Sequence, residues 1–171
     1  MSRNFPDRVR PEKVAAAHRQ FAGRVSLQSM PRLADVLADP GASDEVDFEV
    51  AFYVDQQGQV VADVAVSGQV PLICQRGLHR FGCAIDSRSR IGLIGDIARA
   101  DELPEDYEPL LYDGEDIALA DLVEEELLLA IPLVPVSPES EPVGEASEPE
   151  KKEETPTHRP FEMLGRIKTR D

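Results

Sequence analysis

Cys74, His79, Cys83 and His158 are the side chains whose types could hold a soft metal ion, and together they would make a four-ligand zinc set. Their spacing matches no zinc module, and two cysteines are too few for a disulfide framework, so reduced thiols without metal or cofactor are expected. His18, on or beside an apolar helical face, reads as a packed or half-exposed residue. Acids crowd residues 101–126, but carboxylate acid–base chemistry needs a pocket that shifts their pKa values, and no pattern indicates one. No P-loop, dinucleotide fingerprint, nucleophile elbow or His-Glu zinc motif occurs. An enzyme is not expected.

Charge divides the chain more sharply than these residues do. The 171 residues carry a net charge of -15, with 12 basic and 12 acidic side chains in residues 1–100, 2 and 19 in residues 101–154, and 4 and 2 in residues 155–171. Acidity this local repels phosphate backbones and attracts basic proteins. A basic protein partner is therefore expected, with any contact to precursor RNA indirect. Solubility alone is the plainer account of the same charge. The opening residues lack the apolar run of a signal peptide and no stretch is long enough to span a membrane, so a cytoplasmic protein with no membrane partner is expected.

The elements that position these groups read as one α+β domain over residues 1–136. Pro11 opens a helix with Val14, Ala17, His18 and Phe21 on one face, closed by Gly23; a second short helix begins at Pro31, with Leu33, Val36 and Leu37 inward. Strict alternation of Val46, Phe48, Val50, Phe52 and Val54 predicts a strand, and Val60, Ala62, Val64 and Val66 resume it after a turn at residues 56–59. Gly68 suggests a bulge before Val70, Leu72 and Cys74. Two further short strands at 81–85 and 91–94 complete an antiparallel sheet, with no room for parallel crossovers.

Residues 100–116 read as an acidic loop with a short extended piece at Leu110-Leu111-Tyr112. The strongest helix spans 117–131, with Asp116 as N-cap. Leu119, Leu122, Val123, Leu127, Ala130 and Ile131 face the sheet; Asp121, Glu124 and Glu125 lie outside, and Glu126 sits at the edge. Pro132 ends it. Residues 137–157 have the composition of a disordered acidic linker, and residues 158–171 form a short basic amphipathic C-terminal segment suited either to docking on a partner or to folding back.

Several of these stretches recur in order as a pattern. A strand, Val70-Pro71-Leu72-Ile73, runs into Cys74-Gln75-Arg76. Leu103-Pro104-Glu105-Asp106-Tyr107-Glu108-Pro109 follows, then the Glu-rich helix running from Asp121 into Ile131-Pro132-Leu133-Val134-Pro135, then Arg159-Pro160-Phe161 with Leu164 and Lys168. This ordered set resembles the YceD family over roughly residues 70–171, with Cys74 and Arg76 as family-motif positions. Gly77 stands where the family carries a second cysteine, and the further cysteines of some members are missing, so the resemblance implies no metal here. It does imply a role in the synthesis, processing or stability of large-subunit (23S) ribosomal RNA, without an assigned enzymatic activity.

The partner surface expected on this reading is Asp121, Glu124 and Glu125, joined by Arg159, Phe161, Leu164 and Lys168 as a second, tethered contact to a basic assembly partner such as a large-subunit ribosomal protein. Competing readings remain open. Arg3, Arg8, Arg10, Lys13, Arg19 and Arg24 form a basic cluster that would bind precursor RNA directly. Cys74 and Cys83 would serve a redox or metal sensor, and a soluble acidic adaptor unrelated to ribosomes would carry the same charge.

Overall fold

Apolar alternation builds the centre of the molecule, and the computed structural model describes it through residues 5–41 and 43–140. In chain order the elements are β1 (Arg8–Val9), α1 (Pro11–Ala16), β2 (Gln20–Ser26), two 3₁₀ turns (Leu27–Ser29 and Pro31–Leu33), β3 (Glu45–Val54), β4 (Val60–Ile73), β5 (Arg80–Ile94), a longer 3₁₀ segment (Ile97–Glu102), β6 (Glu108–Leu111), β7 (Ile117–Ala118) and α2 (Leu119–Ala130). Strands β2 to β6 form one sheet in sequential order, and β1 pairs with β7 in a separate two-stranded ribbon. The class is α+β, as expected.

One face of the sheet is apolar and covered. Val46, Phe48, Val50 and Phe52 of β3, Val64, Val66, Val70 and Leu72 of β4, and Ile85, Ile91 and Leu93 of β5 are buried in a single cluster with Ala15 of α1 and Leu119, Leu122, Val123 and Leu127 of α2. The two helices pack on the same side, α1 against β3 and β4, α2 against β4 and β5. The opposite face carries the polar half of the alternation, including an Asp63–Arg90–Asp106 ion-pair chain.

Several expectations need correction, each for a tertiary reason. The first helix stops at Ala16 rather than running to Gly23; His18 turns the chain with a positive φ of 46°, and β2 begins at Gln20. Phe21 is a strand residue packed edge-on against Phe52 with ring centroids 6.2 Å apart. Gly23 then permits a close approach: a Cβ there would lie 2.8 Å from the Phe5 ring, which itself stacks edge-on against Phe48. The second short helix is only the 3₁₀ turn Pro31–Leu33.

The expected strands at 81–85 and 91–94 are parts of one strand. β5 pairs with β4 in unbroken register from Val61↔Gly92 to Ile73↔Arg80, and no bulge occurs at Gly68. The sheet is also mixed rather than wholly antiparallel. β6 runs parallel to β5, from Ile91↔Glu108 to Ile94↔Leu111, because the thirteen residues between them, including the 3₁₀ segment, suffice to bring the chain back.

α2 starts two residues later than expected. Ile117 and Ala118 are held extended by pairing with Val9 and Arg8, so Ala118 takes the N-cap position without a side-chain cap. Asp116 instead accepts a hydrogen bond from Arg10 at 3.1 Å.

Candidate functional site

The three consecutive glutamates of α2 point in three directions. Glu125 faces outward and forms an ion pair with the Arg32 guanidinium. Glu124, expected on the outside, is only 3 % exposed; its carboxylate accepts the backbone N–H of Arg32 at 2.6 Å, inside the turn that begins at Pro31. Glu126, expected at the edge of the stripe with its carboxylate reaching solvent or a basic partner, is equally buried and accepts the hydroxyls of Ser87 and Ser89 on β5. A helix lying between the sheet and the Pro31–Leu33 turn buries side chains about 200° apart, which a one-sided stripe does not anticipate. Of the expected surface trio, Asp121 is exposed and Glu125 lies at the surface, paired with Arg32.

These two acids belong to a larger feature. Between the edge strand β6, the ribbon strand β7 and the outer face of α2 lies a groove of about 500 Å³, lined among others by Ile91, Leu110, Leu111, Leu122 and Leu129 along its length and by Glu108, Asp113, Glu115, Asp116, Asp121 and Glu125. Two arginines enter it, and both are engaged: Arg8 donates to the Asp116 carbonyl and Arg32 to Glu125. Glu108 titrates above the ordinary glutamate range because it is partly buried and because Glu126 and Glu125 add negative charge nearby. Asp113, Glu115 and Glu108 were legible only as loop acids; the groove forms when the parallel return places β6 beside α2.

The Cys74 region makes a second constellation. Cys74 is buried at the end of β4, in the turn to β5. Its sulfur receives the backbone N–H groups of Gly77 at 3.3 Å and Ser137 at 3.4 Å, and lies 2.9 Å from the Ser140 hydroxyl. Burial pushes the thiol pKa up, but hydrogen bonds from Ser140 and from the Gly77, Ser137 and Arg76 amides outweigh it and hold the group at about 6. Arg76 donates to the Ser140 carbonyl at 3.1 Å, and Gln75 N–H to Pro135 at 2.8 Å. The chain after Pro132 is thus tied back to this turn through Ser140, whereas the linker was expected to begin at residue 137. Residues 141–157 and the C-terminal segment with Arg159, Phe161, Leu164 and Lys168 lie outside the described residues.

Cys83 sits on β5, and burial raises its pKa. Among the described residues no group of three or more histidines, cysteines or acids is placed to hold a metal; His158 falls outside them. Three arginines of the basic cluster are engaged by oxygens. Arg8 and Arg10 bind Asp116, Arg24 pairs with Asp47 at 2.9 Å, and the Arg19 guanidinium lies 6.0 Å from the centre of the Phe21 ring. Arg3 lies outside the described residues.

Against known proteins, the model of the family described as large ribosomal RNA subunit accumulation protein YceD matches residues 62–168. The chain belongs to the YceD family. A curated member from Haemophilus influenzae, of that same description, is 34 % identical over 134 residues, which is 77 % of this chain and 75 % of that protein. No solved structure gives a significant match. The YceD match begins in β4 and takes in β5, β6, β7, α2 and the Cys74 turn, so both constellations fall inside it. The residues lining the groove belong to this YceD region apart from Arg8 and Arg32, which come from the N-terminal part of the chain.

Proposed function

We propose that this protein is a non-enzymatic cytoplasmic factor in ribosome biogenesis that supports the synthesis, processing or stability of large-subunit (23S) ribosomal RNA, and that it does so by binding a basic assembly partner. The observation that supports this reading is the family match over residues 62–168, the family being described as large ribosomal RNA subunit accumulation protein. The acidic groove supports the second half. Its exposed acids Asp121 and Glu125 repel a phosphate backbone and attract lysine and arginine, so the RNA is reached through a protein, such as a large-subunit ribosomal protein.

Arg159, Phe161, Leu164 and Lys168, within the same matched region, supply the second tethered contact of this proposal. Two weak contacts joined by a linker raise the effective concentration of the second without a larger interface. Direct binding of precursor RNA through the N-terminal arginines is the less favoured reading, because Arg8, Arg10 and Arg24 are already engaged by backbone or carboxylate oxygens. No helix among the described residues is long and apolar enough to cross a membrane.

The test is sucrose-gradient sedimentation of a lysate containing the tagged full chain, at low and moderate salt, with co-migrating RNA and proteins identified. Co-migration with large-subunit precursors and a basic protein is expected. A protein found only at the top of the gradient at both salts would sink the assembly reading.

A further inference from the structure

The groove between β6 and α2 differs from the rest of the acidic surface in having an apolar length. Leu111 and Leu129 line it while 61 % and 62 % exposed, and Ile91 and Leu122 close its depth. Large exposed leucines at a groove are costly to leave in water, and they gain from an apolar side chain placed against them. Six carboxylates line the same groove, against two arginines that are already engaged. β6 is moreover the terminal strand of the sheet, so this side of the groove is open to an incoming chain.

We infer that this groove seats a short basic segment of a partner protein in which lysine or arginine flanks leucine-like residues, the apolar side chains meeting the groove's leucines, Leu111 and Leu129 among them, and the cations meeting Asp121, Glu115 and Asp113. The inference rests on the proposed binding of a basic partner and adds where and by what chemistry the partner is held. Charge decides among the possible occupants. Nucleic acid and anionic lipid are repelled by the rim, and a second copy brings a net charge of -15 to it. The raised pKa of Glu108, caused first by burial and then by the charges of Glu126 and Glu125, agrees with a groove that is negative on balance. Pro109 in the middle of β6 removes a backbone donor from a four-residue strand. Recognition therefore falls on side chains rather than on an added strand.

The test uses the full chain at about 150 mM salt, where exposed charges more than roughly 8 Å apart are screened, with two fluorescent decapeptides of equal charge, one alternating lysine with leucine and one alternating lysine with serine. The leucine peptide is expected to bind at least about tenfold more tightly. Leu111→Ser with Leu129→Ser should abolish that difference, and Asp121→Lys should weaken the leucine peptide by about tenfold where Asp35→Lys, an exposed acid outside the groove, does not. These positions are exposed, and unchanged thermal unfolding of each variant confirms that the fold is intact.

Equal binding of the two peptides, or equal weakening by Asp35→Lys and Asp121→Lys, would overturn the inference in favour of diffuse charge attraction. A peptide copying residues 158–171 that binds more tightly than the leucine peptide would assign the groove to this chain's own terminus instead. The two proposals separate in the gradient. If the double leucine variant still migrates with large-subunit precursors, the groove is not the seat and the assembly role stands; if the unaltered chain does not migrate with them, the assembly role itself is lost.

Discussion

Glu126 on α2 accepts the hydroxyl hydrogen of Ser87 on β5, and its second oxygen accepts that of Ser89 in the same way. The pair of serines lies on the helix-facing side of a strand stretch, Asp86-Ser87-Arg88-Ser89-Arg90, that contains no apolar residue. A polar stretch joins two apolar ones into a single fifteen-residue strand because a buried carboxylate supplies acceptors for hydroxyls that would otherwise be desolvated without partners.

Replacing Glu126 with alanine should therefore destabilise the domain, by about 1–3 kcal/mol from the two orphaned hydroxyls and lost packing. Urea unfolding followed by circular dichroism measures it. Combining Glu126→Leu with Ser87→Ala and Ser89→Ala should recover most of the loss, since removing donors and acceptor together leaves nothing unsatisfied. A triple variant as unstable as the single one would show that the carboxylate acts otherwise.

Glu124 and Asp121 sit three residues apart on α2 and should behave oppositely. Glu124→Ala removes the acceptor of the Arg32 amide and should cost about 1–3 kcal/mol. Asp121→Asn is exposed and should shift stability by no more than about 0.5 kcal/mol, while reducing co-sedimentation with the basic partner. Thermal melts and gradient fractions of the two variants together distinguish a structural acid from a binding one.

Cys74 should make stability depend on pH. Its folded pKa of about 6 lies below the value of about 8.5 expected for an unfolded cysteine. The unfolded chain thus holds the proton over that interval while the folded chain has released it. The contribution is complete above about pH 8.5 and is lost as pH falls through 6. Urea midpoints at pH 5.5 and 8.5 should diverge for the native chain relative to Cys74→Ala, with the larger gap at the higher pH. A gap independent of pH would mean the sulfur stays a thiol.

Leu127 is fully buried in the cluster beneath the sheet. Leu127→Ala should cost about 2–5 kcal/mol, the range for a buried leucine that leaves a cavity. Leu129→Ala, two positions on and exposed, should cost little. Equal losses would place α2 in a different rotation on the sheet.

Much of this architecture was legible in the residues. The β3–β4 hairpin follows from a strict period of two over Val46–Val54 and Val60–Val66, where one face must be buried and a slip of one residue would expose every side chain. The apolar stripe of α2, its end at Pro132, and the ordered motifs from Val70 to Lys168 that carry the family resemblance were likewise local. Phe21 was not: its spacing from Val14 and Ala17 suits a helix, its alternation with Val25 suits a strand, and pairing with β3 decided for the strand.

Asp121 and Glu125 were identifiable as surface acids because they lie off the apolar stripe, whereas Glu124 and Glu126 have the same chemistry and different fates. Local pattern determined the β3–β4 hairpin, the stripe of α2, the acidic region and the family. The parallel return of β6, the burial of two glutamates, the groove and the Cys74 hydrogen bonds were settled only by tertiary structure. The two buried glutamates meet partners far along the chain, Ser89 lying 37 residues from Glu126 and Arg32 lying 92 from Glu124. The free energy of a polar group is set by the partner it meets when water is removed, and no window of sequence around the group contains that partner.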